Sequence, residues 1–500
     1  METDKDDSAL TAVTNLLRTF WLQCVAISLG LLVPCFWHPR IEAGDLASHV
    51  YNAWLAQLIE RGQAPGLYLG TQWNNVLFDF LLLKLGNLCG LPAAQKILVP
   101  LIVLVFFWGS FALIAAVSRR PPWFLLPCLA MLAYGWTFNV GFFNFYLSLG
   151  FGFFAIALIW RGRGRELLLI APLAALALLA HPQGFVWLVG CLCYVLLWRA
   201  LPGRWNLAVL AAAVLLVVIL RHYLMHHFQT FGVWGMYGPG VYNGSDQIAL
   251  YGMRYYVLSG AALLFGIICF AVEAIRRYWH RISWTDMRLP LELHLFAVFA
   301  IYRLPDVMRV PLFQGWIGAL ALRTTAIAAV MGLCVIAHMH PRKWHTAGFA
   351  IIAAVFFVFL YQDTGTLNRM EAQIERMVAT LPKGERVTAT IWAPPDSRLP
   401  FIVHMVDRAC VGHCFSFQNY EPPSQQFRVR VSPGGSPLNT ASSDQSQEME
   451  AGEYVVLPQD LPMAQIYQCE EDEDDLTQLC IRQLSAGEPN GRIGYHPPHD

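Results

Sequence analysis

The sequence predicts an α-helical polytopic membrane protein that carries a small extracytoplasmic C-terminal domain of α/β or β-rich type. Two facts of composition indicate this class: 56% of the residues are apolar and only 14% are charged, whereas soluble domains have about 25% charged residues. The third observation is that the apolar residues cluster in repeated stretches of roughly 20, the length of a membrane-spanning helix. The 34 basic and 34 acidic residues balance, so nucleic acid is not expected as a partner.

About eleven such stretches predict a transmembrane domain over residues 17–362, preceded by a short segment, 1–16. We expect the first stretch to be a retained signal anchor, because it lacks a basic start and an obvious cleavage site. The predicted spans lie near 17–36, 97–117, 123–139, 142–160, 167–181, 184–198, 206–221, 256–275, 289–303, 316–338 and 346–362.

Short basic clusters predict the orientation of these spans. Arg119-Arg120, Arg276-Arg277 and Arg342-Lys343 each follow an even-numbered span, whereas the turns at 138–144 and 180–184 contain no Lys or Arg. Because basic residues accumulate on the cytoplasmic side, segment 1–16 is expected in the cytoplasm. Residues 38–93, a first outer loop, and 363–500, the C-terminal domain, are then extracytoplasmic.

The first outer loop contains the most informative polar residues. No Gly or Pro interrupts the chain from Asp45 to Arg61, and Gly62 is a natural stop, so a helix is predicted here. Asp45 and His49 are four residues apart and therefore share one face of that helix. The alternative is structural: Asp45 would cap the helix and His49 would face lipid headgroups.

Three arginines at the outer ends of late spans break the basic-residue trend. They are Arg303, Arg309 and Arg323, and a guanidinium matches the geometry of phosphate oxygens. A phosphate partner is one interpretation of these residues. Pairing with Asp306 or with lipid headgroups is the other.

The order of these parts resembles the GT-C superfamily of integral membrane glycosyltransferases. Its members carry an essential acidic residue in the first outer loop, and EAGDLASHVYNAWLAQLIERGQ (42–63) offers Glu42 and Asp45 at the matching positions. Many members have two adjacent acidic residues, whereas Asp45 here follows a glycine. The stretches at 141–161 and 178–188 look similar to those of uncharacterised bacterial membrane proteins regarded as relatives of this superfamily.

The resemblance implies transfer of a sugar from a polyprenyl-phosphate donor to a glycan or protein acceptor, at the outer face of a bacterial inner membrane. Asp45 would be the general base, with Glu42 and His49 as further catalytic candidates. The arginines Arg303, Arg309 and Arg323 would bind the donor phosphate, and His181 and Arg221 are candidate substrate contacts. Membrane lipid is a further partner, no cofactor is called for, and a divalent cation is left open.

Two other classes of function are alternatives to this one. The first is a non-catalytic scaffold, or a protein that handles lipid-linked glycans, with a degenerate version of the same fold. A lipid or solute transporter is less favoured, because span interiors between residues 97 and 220 contain no Asp, Glu, Lys or Arg. Soluble NTPase, hydrolase, zinc-protease and dinucleotide motifs are absent from the sequence.

The C-terminal domain is predicted to begin with a short helix at 371–387 and to contain a small sheet. The expected strands are 386–392, 401–406, 427–431, 452–457 and 464–469, and the polar stretch 432–450 is predicted to be a mobile loop. Four cysteines here predict disulfides, with Cys410 to Cys414 and Cys469 to Cys480 as the first choice among three pairings. The alternative is a metal site made by the CVGHC stretch at 410–414.

Overall fold

A computed structural model describes residues 3–162, 164–238, 240–311, 315–393, 397–399, 404–469 and 477–491. Helices dominate this part of the chain. In order they are α1 Thr3–Leu32, α2 Leu46–Glu60, α3 Leu77–Cys89, α4 Leu91–Ser118, α5 Leu126–Ala133, α6 Trp136–Val140, α7 Phe143–Arg161, α8 Ile170–Ala180, α9 Pro182–Ala200, α10 Asn206–His227, α11 Val233–Tyr237, α12 Met253–Trp279, α13 Thr285–Arg303, α14 Leu320–Ile336, α15 Lys343–Val378, α16 Met405–Cys410, α17 Glu421–Ser424 and α18 Ser443–Ala451.

Eight helical segments of the described chain are long and apolar enough to cross a membrane, as expected of a polytopic helical membrane protein. They are Arg18–Cys35, Leu91–Ser118, Trp123–Val140, Phe143–Arg161, Pro182–Ala200, Gly203–His227, Met253–Trp279 and Lys343–Val378. Helices α8, α13 and α14 occupy the other three predicted spans but fall outside this set. Helix α8 has 11 residues and α14 has 17, and α13 carries Asp286, Arg288 and Glu292.

The helical part is organised around the contact between α4 and α7. Gly109 of α4 and Gly150 of α7 lie at the crossing, where a Cβ on Gly109 would be 2.5 Å from the carbonyl oxygen of Gly150. The two backbones therefore pack at a distance that a side chain would prevent. About one turn away on each helix, Phe106 stacks on Tyr146, with ring centroids 4.0 Å apart, and both side chains are fully buried.

Helix α15 is one uninterrupted helix of 36 residues, about 54 Å long. The helix predicted at 371–387 is confirmed as far as Val378, where it is the last part of α15, but the prediction is wrong beyond that residue, since β5 begins at Arg386. Thr364 and Asn368 do not interrupt α15, because their side chains donate back to the carbonyls of Leu360 and Thr364. The same helix packs on α5 and α12 and, beyond them, on α16 and on strand Leu479–Gln483.

Nine short strands form three small sheets in the described residues. They are β1 Leu67–Leu69, β2 Gln229–Gly232, β3 Pro305–Arg309, β4 Trp316–Ile317, β5 Arg386–Thr390, β6 Phe415–Ser416, β7 Val429–Val431, β8 Met463–Gln468 and β9 Leu479–Gln483. The strand orders are β1-β7, β2-β3-β4 and β6-β5-β8-β9. In the last sheet β5 is parallel to β6 and β8, and β9 is antiparallel to β8.

The C-terminal part agrees with several expectations and contradicts others. Strands β5, β7 and β8 form where predicted, but Met405 and Val406 lie in α16, and 452–457 has only an isolated bridge at Val455. Residues 401–403 lie outside the described residues. Residues 432–442 form a loop, as predicted, with an isolated bridge between Ser436 and Asn439. The prediction is wrong for 443–450, because α18 begins at Ser443, where the Ser442 side chain accepts the N–H of Gln445.

The two predicted disulfides are confirmed: Cys410 bonds Cys414 and Cys469 bonds Cys480. The metal alternative for CVGHC is therefore wrong, since its two thiols are used in a disulfide. Residues of the C-terminal sheet, such as Val387 and Ile466, belong to the same buried apolar cluster as residues of the long helices. The C-terminal part also has a second, smaller core, which is formed by Phe417, Met449, Tyr454, Val456, Met463 and Leu484.

Candidate functional site

A cavity of about 700 Å³ lies where the first outer loop, the start of α7, the α8–α9 junction, the start of α14 and the C-terminal part meet. Four residues singled out in the sequence line it: Asp45, His49, His181 and Arg323. They come from three distant parts of the chain. The fold thus brings a carboxylate, two imidazoles and a guanidinium to one cavity.

The turn at 138–144 fixes the position of Asp45. The N–H groups of Gly44 and Asp45 donate to the carbonyls of Asn139 and Val140, each at 2.8 Å. Gly141 allows this approach, because its φ is +94° and a Cβ there would lie 2.6 Å from the Asp45 nitrogen. The backbone that carries Asp45 is therefore held by a second segment rather than by its own helix alone.

The side chain of Asp45 does not cap α2. Asp45 occupies the N-cap position but has helical φ and ψ and makes no side-chain capping hydrogen bond, so the structural alternative for this residue is wrong. Burial raises the pKa of the carboxyl, while the charges of His404, His49 and Arg323 act in the opposite direction. A carboxyl that lines a cavity and has no capping role is available to a ligand there.

His49 is held by Asp79 of α3 rather than holding Asp45. Its Nδ1 lies 2.6 Å from Asp79 Oδ1, and Asn144 Nδ2 donates to Asp79 Oδ2 at 2.8 Å. Burial disfavours the imidazolium, but the charge and hydrogen bond of Asp79 prevail and raise the pKa of His49 to about 9. His49 is thus a positively charged residue of the cavity wall at neutral pH, and it does not face headgroups.

A third histidine, His404, reaches the cavity from the C-terminal part. Its Nδ1 lies 3.1 Å from Asp407 Oδ2, and its Nε2 lies 3.9 Å from Asp45 Oδ1. Burial lowers its pKa, but the hydrogen bond and charge of Asp407 outweigh this effect and raise the pKa to about 9. The ring of Tyr420 packs on it at 5.2 Å, so His404 is fixed in orientation beside Asp45.

Arg323 is the cationic group of the cavity that lacks a carboxylate partner. Its guanidinium lies over the ring of Phe142 at 3.8 Å, and its Nε is buried with no hydrogen-bond partner among the described residues. Asp306 does not pair with it, because Asp306 Oδ1 accepts the N–H groups of Ala321 and Leu322 at the start of α14. The guanidinium therefore keeps donor capacity for an anion.

His181 satisfies Arg323 only in part. The N–H of Gln183 lies 3.1 Å from His181 Nδ1, and Arg323 Nη1 lies 3.1 Å from His181 Nε2. Both neighbours are donors, and a neutral imidazole accepts at only one nitrogen. One of these two contacts is consequently unsatisfied, which leaves an N–H of Arg323 or of Gln183 available to a ligand.

Glu42 lies apart from the cavity in a buried ionic cluster. Arg408 Nη2 contacts Glu42 Oε2 at 3.2 Å, and the same guanidinium makes a two-pronged contact with Glu371 of α15. Burial, followed by the charge of Glu371, raises the pKa of Glu42. Glu42 therefore joins the first outer loop to α15 and α16 and does not accompany Asp45 at the cavity.

The remaining basic candidates are placed elsewhere. Arg303 and Arg309 are exposed, and Arg309 lies 5.9 Å from the ring of Trp316. Arg221 is half-buried on α10. None of the three lines the cavity, so Arg323 is the one member of the arginine set that does.

The described residues offer no group of three or more His, Cys, Asp or Glu side chains arranged to hold a metal ion. The cavity does contain polar residues that the sequence did not single out, namely His404, Tyr420, Gln183 and Glu450. Asp79 could have been recognised from the sequence as a candidate, because it is a carboxylate in a largely apolar helix. His404 could not have been recognised in this way, since the surrounding FIVHMV resembles a strand.

Comparison of the chain with protein-family models, with curated proteins and with solved structures gave no match.

Proposed function

We propose that this protein is an integral membrane glycosyltransferase that transfers a sugar from a polyprenyl-phosphate donor to an acceptor hydroxyl. The observation that carries the proposal is the presence of Asp45 and Arg323 in one cavity. Glycosyl transfer needs a base for the acceptor and a cation for the departing phosphate. These two residues are of the required types and are held by the same turn, through the backbone of Asp45 and the ring of Phe142.

In this proposal the Asp45 carboxylate takes the proton of the acceptor hydroxyl as its oxygen bonds to the anomeric carbon. The bond from that carbon to the phosphate oxygen breaks, and its electron pair leaves with the lipid phosphate. Arg323 stabilises the negative charge that develops there. His404, held by Asp407 and 3.9 Å from Asp45, is a positioning residue for the Asp45 carboxylate. His49, held by Asp79, keeps positive charge in the cavity.

The proposal includes a particular membrane arrangement. All eleven predicted stretches cross a bacterial inner membrane, with α8 packed on α7 and α9 and with α13 packed on α14. Segment 1–16 is cytoplasmic, and the cavity, the first outer loop and residues 363–500 are extracytoplasmic. A donor would then reach the cavity from the outer leaflet, with its phosphate at Arg323 and its chain in the lipid.

The decisive test is Asp45→Asn. Asparagine keeps the shape of the side chain but accepts no proton, so we expect transfer to fall by roughly 10²–10⁴-fold at equal membrane abundance. Transfer is measured on membranes supplied with radiolabelled polyprenyl-phosphate hexoses, after profiling of lipid-linked glycans in a deletion strain has identified the affected glycan. Asp444→Asn is the matched control, because Asp444 is exposed on α18 and does not line the cavity.

Full transfer by the Asn variant would remove Asp45 from the chemistry. An unchanged glycan profile in the deletion strain would contradict the enzyme proposal as a whole and favour the scaffold.

A further inference from the structure

A second pocket of about 850 Å³ lies at the far ends of the helices that form the catalytic cavity. Its wall is basic: among the described residues that line it, the charged ones are Arg119, Arg120, Arg161, Arg165, Arg199 and a single acidic residue, Glu166. Arg119 and Arg120 follow α4, Arg161 and Arg165 lie at the end of α7 and just after it, and Arg199 lies in the last turn of α9. The fold thus gathers five guanidinium groups against one carboxylate.

Two of the arginines are committed to the protein itself. Arg199 Nη1 and Nη2 donate to the carbonyls of Ile159 and Trp160 at the end of α7, each at 2.9 Å. Arg120 Nη2 donates to the carbonyl of Ala337 at 2.8 Å. The Arg199 contacts join α9 to α7, and the Arg120 contact joins the end of α4 to the end of α14. These contacts hold the walls of the pocket in place.

The other three arginines have no such commitment. The side chains of Arg119, Arg161 and Arg165 are exposed and make no hydrogen bond or ion pair with any described residue, and Glu166 pairs with none of them. An exposed arginine does not need a protein partner, so what distinguishes these three is that they line one pocket together. Three uncommitted guanidinium groups facing one pocket are a site for an anion with several acceptor oxygens.

The position of the pocket identifies the depth at which this anion lies. The segments Leu91–Ser118, Phe143–Arg161 and Pro182–Ala200, all long enough to cross a membrane, end at the pocket. Trp160, whose ring lies 5.3 Å from the Arg199 guanidinium, is part of its wall, and tryptophan favours the membrane–water interface. The pocket is therefore at the level of the lipid headgroups.

The pocket is also remote from the proposed catalytic residues. Phe143, at the start of α7, lines the catalytic cavity, and Arg161, at the end of α7, lines the basic pocket. The 19 residues of α7 separate the two sites by about 28 Å. The basic pocket is thus a distinct site at the opposite side of the membrane.

We propose that this pocket binds the phosphate headgroup of an anionic membrane phospholipid. Basic residues on cytoplasmic turns also set the orientation of a membrane protein, but that role needs only their presence in each turn. It does not require the turns to converge or to leave three guanidinium groups unpaired around one space. Basic pockets between spans at this level are suited to anionic headgroups, and neither the proposed transfer reaction nor Asp45 enters this inference.

The test is lipid binding by the full chain purified in detergent, followed by native mass spectrometry with added phosphatidylglycerol or phosphatidylcholine. We expect the wild-type protein to bind phosphatidylglycerol preferentially. In the double variant Arg161→Gln/Arg165→Gln, the affinity for phosphatidylglycerol should fall about 25-fold. Each arginine thus accounts for about a fivefold change in affinity, which corresponds to about 1 kcal/mol of binding free energy, because a tenfold change in affinity corresponds to about 1.4 kcal/mol. Phosphatidylcholine binding should not change.

Two further variants keep the test decisive. Arg161→Lys/Arg165→Lys retains the charge and should retain most of the binding, and Arg303→Gln/Arg309→Gln removes two exposed arginines outside both pockets and should behave as wild type. Equal losses in this control and in the pocket variant would overturn the site. Displacement of the lipid by millimolar inorganic phosphate would assign the pocket to a free anion and overturn the lipid assignment.

Discussion

Two acidic residues three positions apart, Glu42 and Asp45, serve different purposes because their surroundings differ. Glu42 is buried against Arg408 and Glu371, whereas Asp45 faces a cavity with His404 at 3.9 Å. A carboxylate in a closed ionic cluster stabilises the fold, and one at a cavity can meet a ligand. The sequence placed both in the same catalytic hypothesis, since it does not show which carboxylate a distant arginine reaches.

Arg323→Lys separates guanidinium geometry from charge. A lysine keeps the positive charge but loses the planar fork of donors. We therefore expect sugar transfer to fall at least tenfold at low donor concentration, because the KM for the polyprenyl-phosphate donor rises. Arg303→Lys serves as the control and should leave transfer intact. An unaltered KM in the Arg323 variant would remove this residue from phosphate binding.

The charged histidines of the cavity predict how stability depends on pH. The pKa of His49 and that of His404 are both raised to about 9, from an ordinary value of 6.5. Their contribution to the free energy of unfolding is therefore fully present below pH 6.5 and is lost as the pH rises through 9. We expect the Tm of the detergent-solubilised protein to fall between pH 7 and 9.5.

The comparison for this experiment is the double variant His49→Gln/His404→Gln. Its Tm should be lower at pH 7 and should vary less over the same interval, because glutamine does not titrate. A wild-type Tm that stays constant up to pH 9.5 would show that the two imidazoles are not charged in the folded protein.

At the scale of elements, the turn at 138–144, in which α6 ends and α7 begins, organises the cavity because it contacts both Asp45 and Arg323. It accepts the N–H groups of Gly44 and Asp45 and supplies the Phe142 ring beneath Arg323. A displacement of this turn would move the proposed base and the proposed phosphate-binding residue together. The turn is therefore the place at which a small change of backbone should have a large effect on the site.

Gly141→Ala tests this role of the turn. The new Cβ would meet the Asp45 nitrogen at 2.6 Å in a left-handed backbone conformation, so we expect a loss of about 1–3 kcal/mol in stability and at least a tenfold loss of transfer. Gly62→Ala is the control, because Gly62 also has a positive φ, of +71°, but open space around it. If both variants lose transfer equally, displacement of Asp45 is not the cause.

Sequence patterns predicted those elements whose stability is local. Helix α2 begins and ends within one residue of the prediction, because an uninterrupted helical stretch and Gly62 define it. The prediction of a strand at 401–406 is wrong at Met405 and Val406, which lie in α16. A short apolar run has the same sequence pattern in a buried helix as in a strand. The cavity could be predicted only in part: Asp45 and Arg323 have recognisable chemistry, but the approach of His404 depends on tertiary packing.

At the scale of the whole molecule, orientation in the membrane determines every proposed role. Reporter fusions after residues 120, 202, 280 and 343 should report the cytoplasm, and fusions after residues 70 and 430 should report the outer side. The fusion after 430 is the most informative, because the C-terminal part closes the cavity. Outer signals at two or more of the first four positions would place the cavity in the cytoplasm and contradict transfer at the outer face.

The cavity draws its wall from Asp45 near the beginning of the chain and from Glu450 near its end. A ribosome must therefore translate almost the whole message before the site can exist, although the helices of the membrane part are inserted well before that point. A chain that stops early, even after α15, would be a membrane-resident protein with half a site. Abundance in the membrane is consequently a poor measure of working protein, and cells that carry late nonsense alleles should resemble the deletion strain.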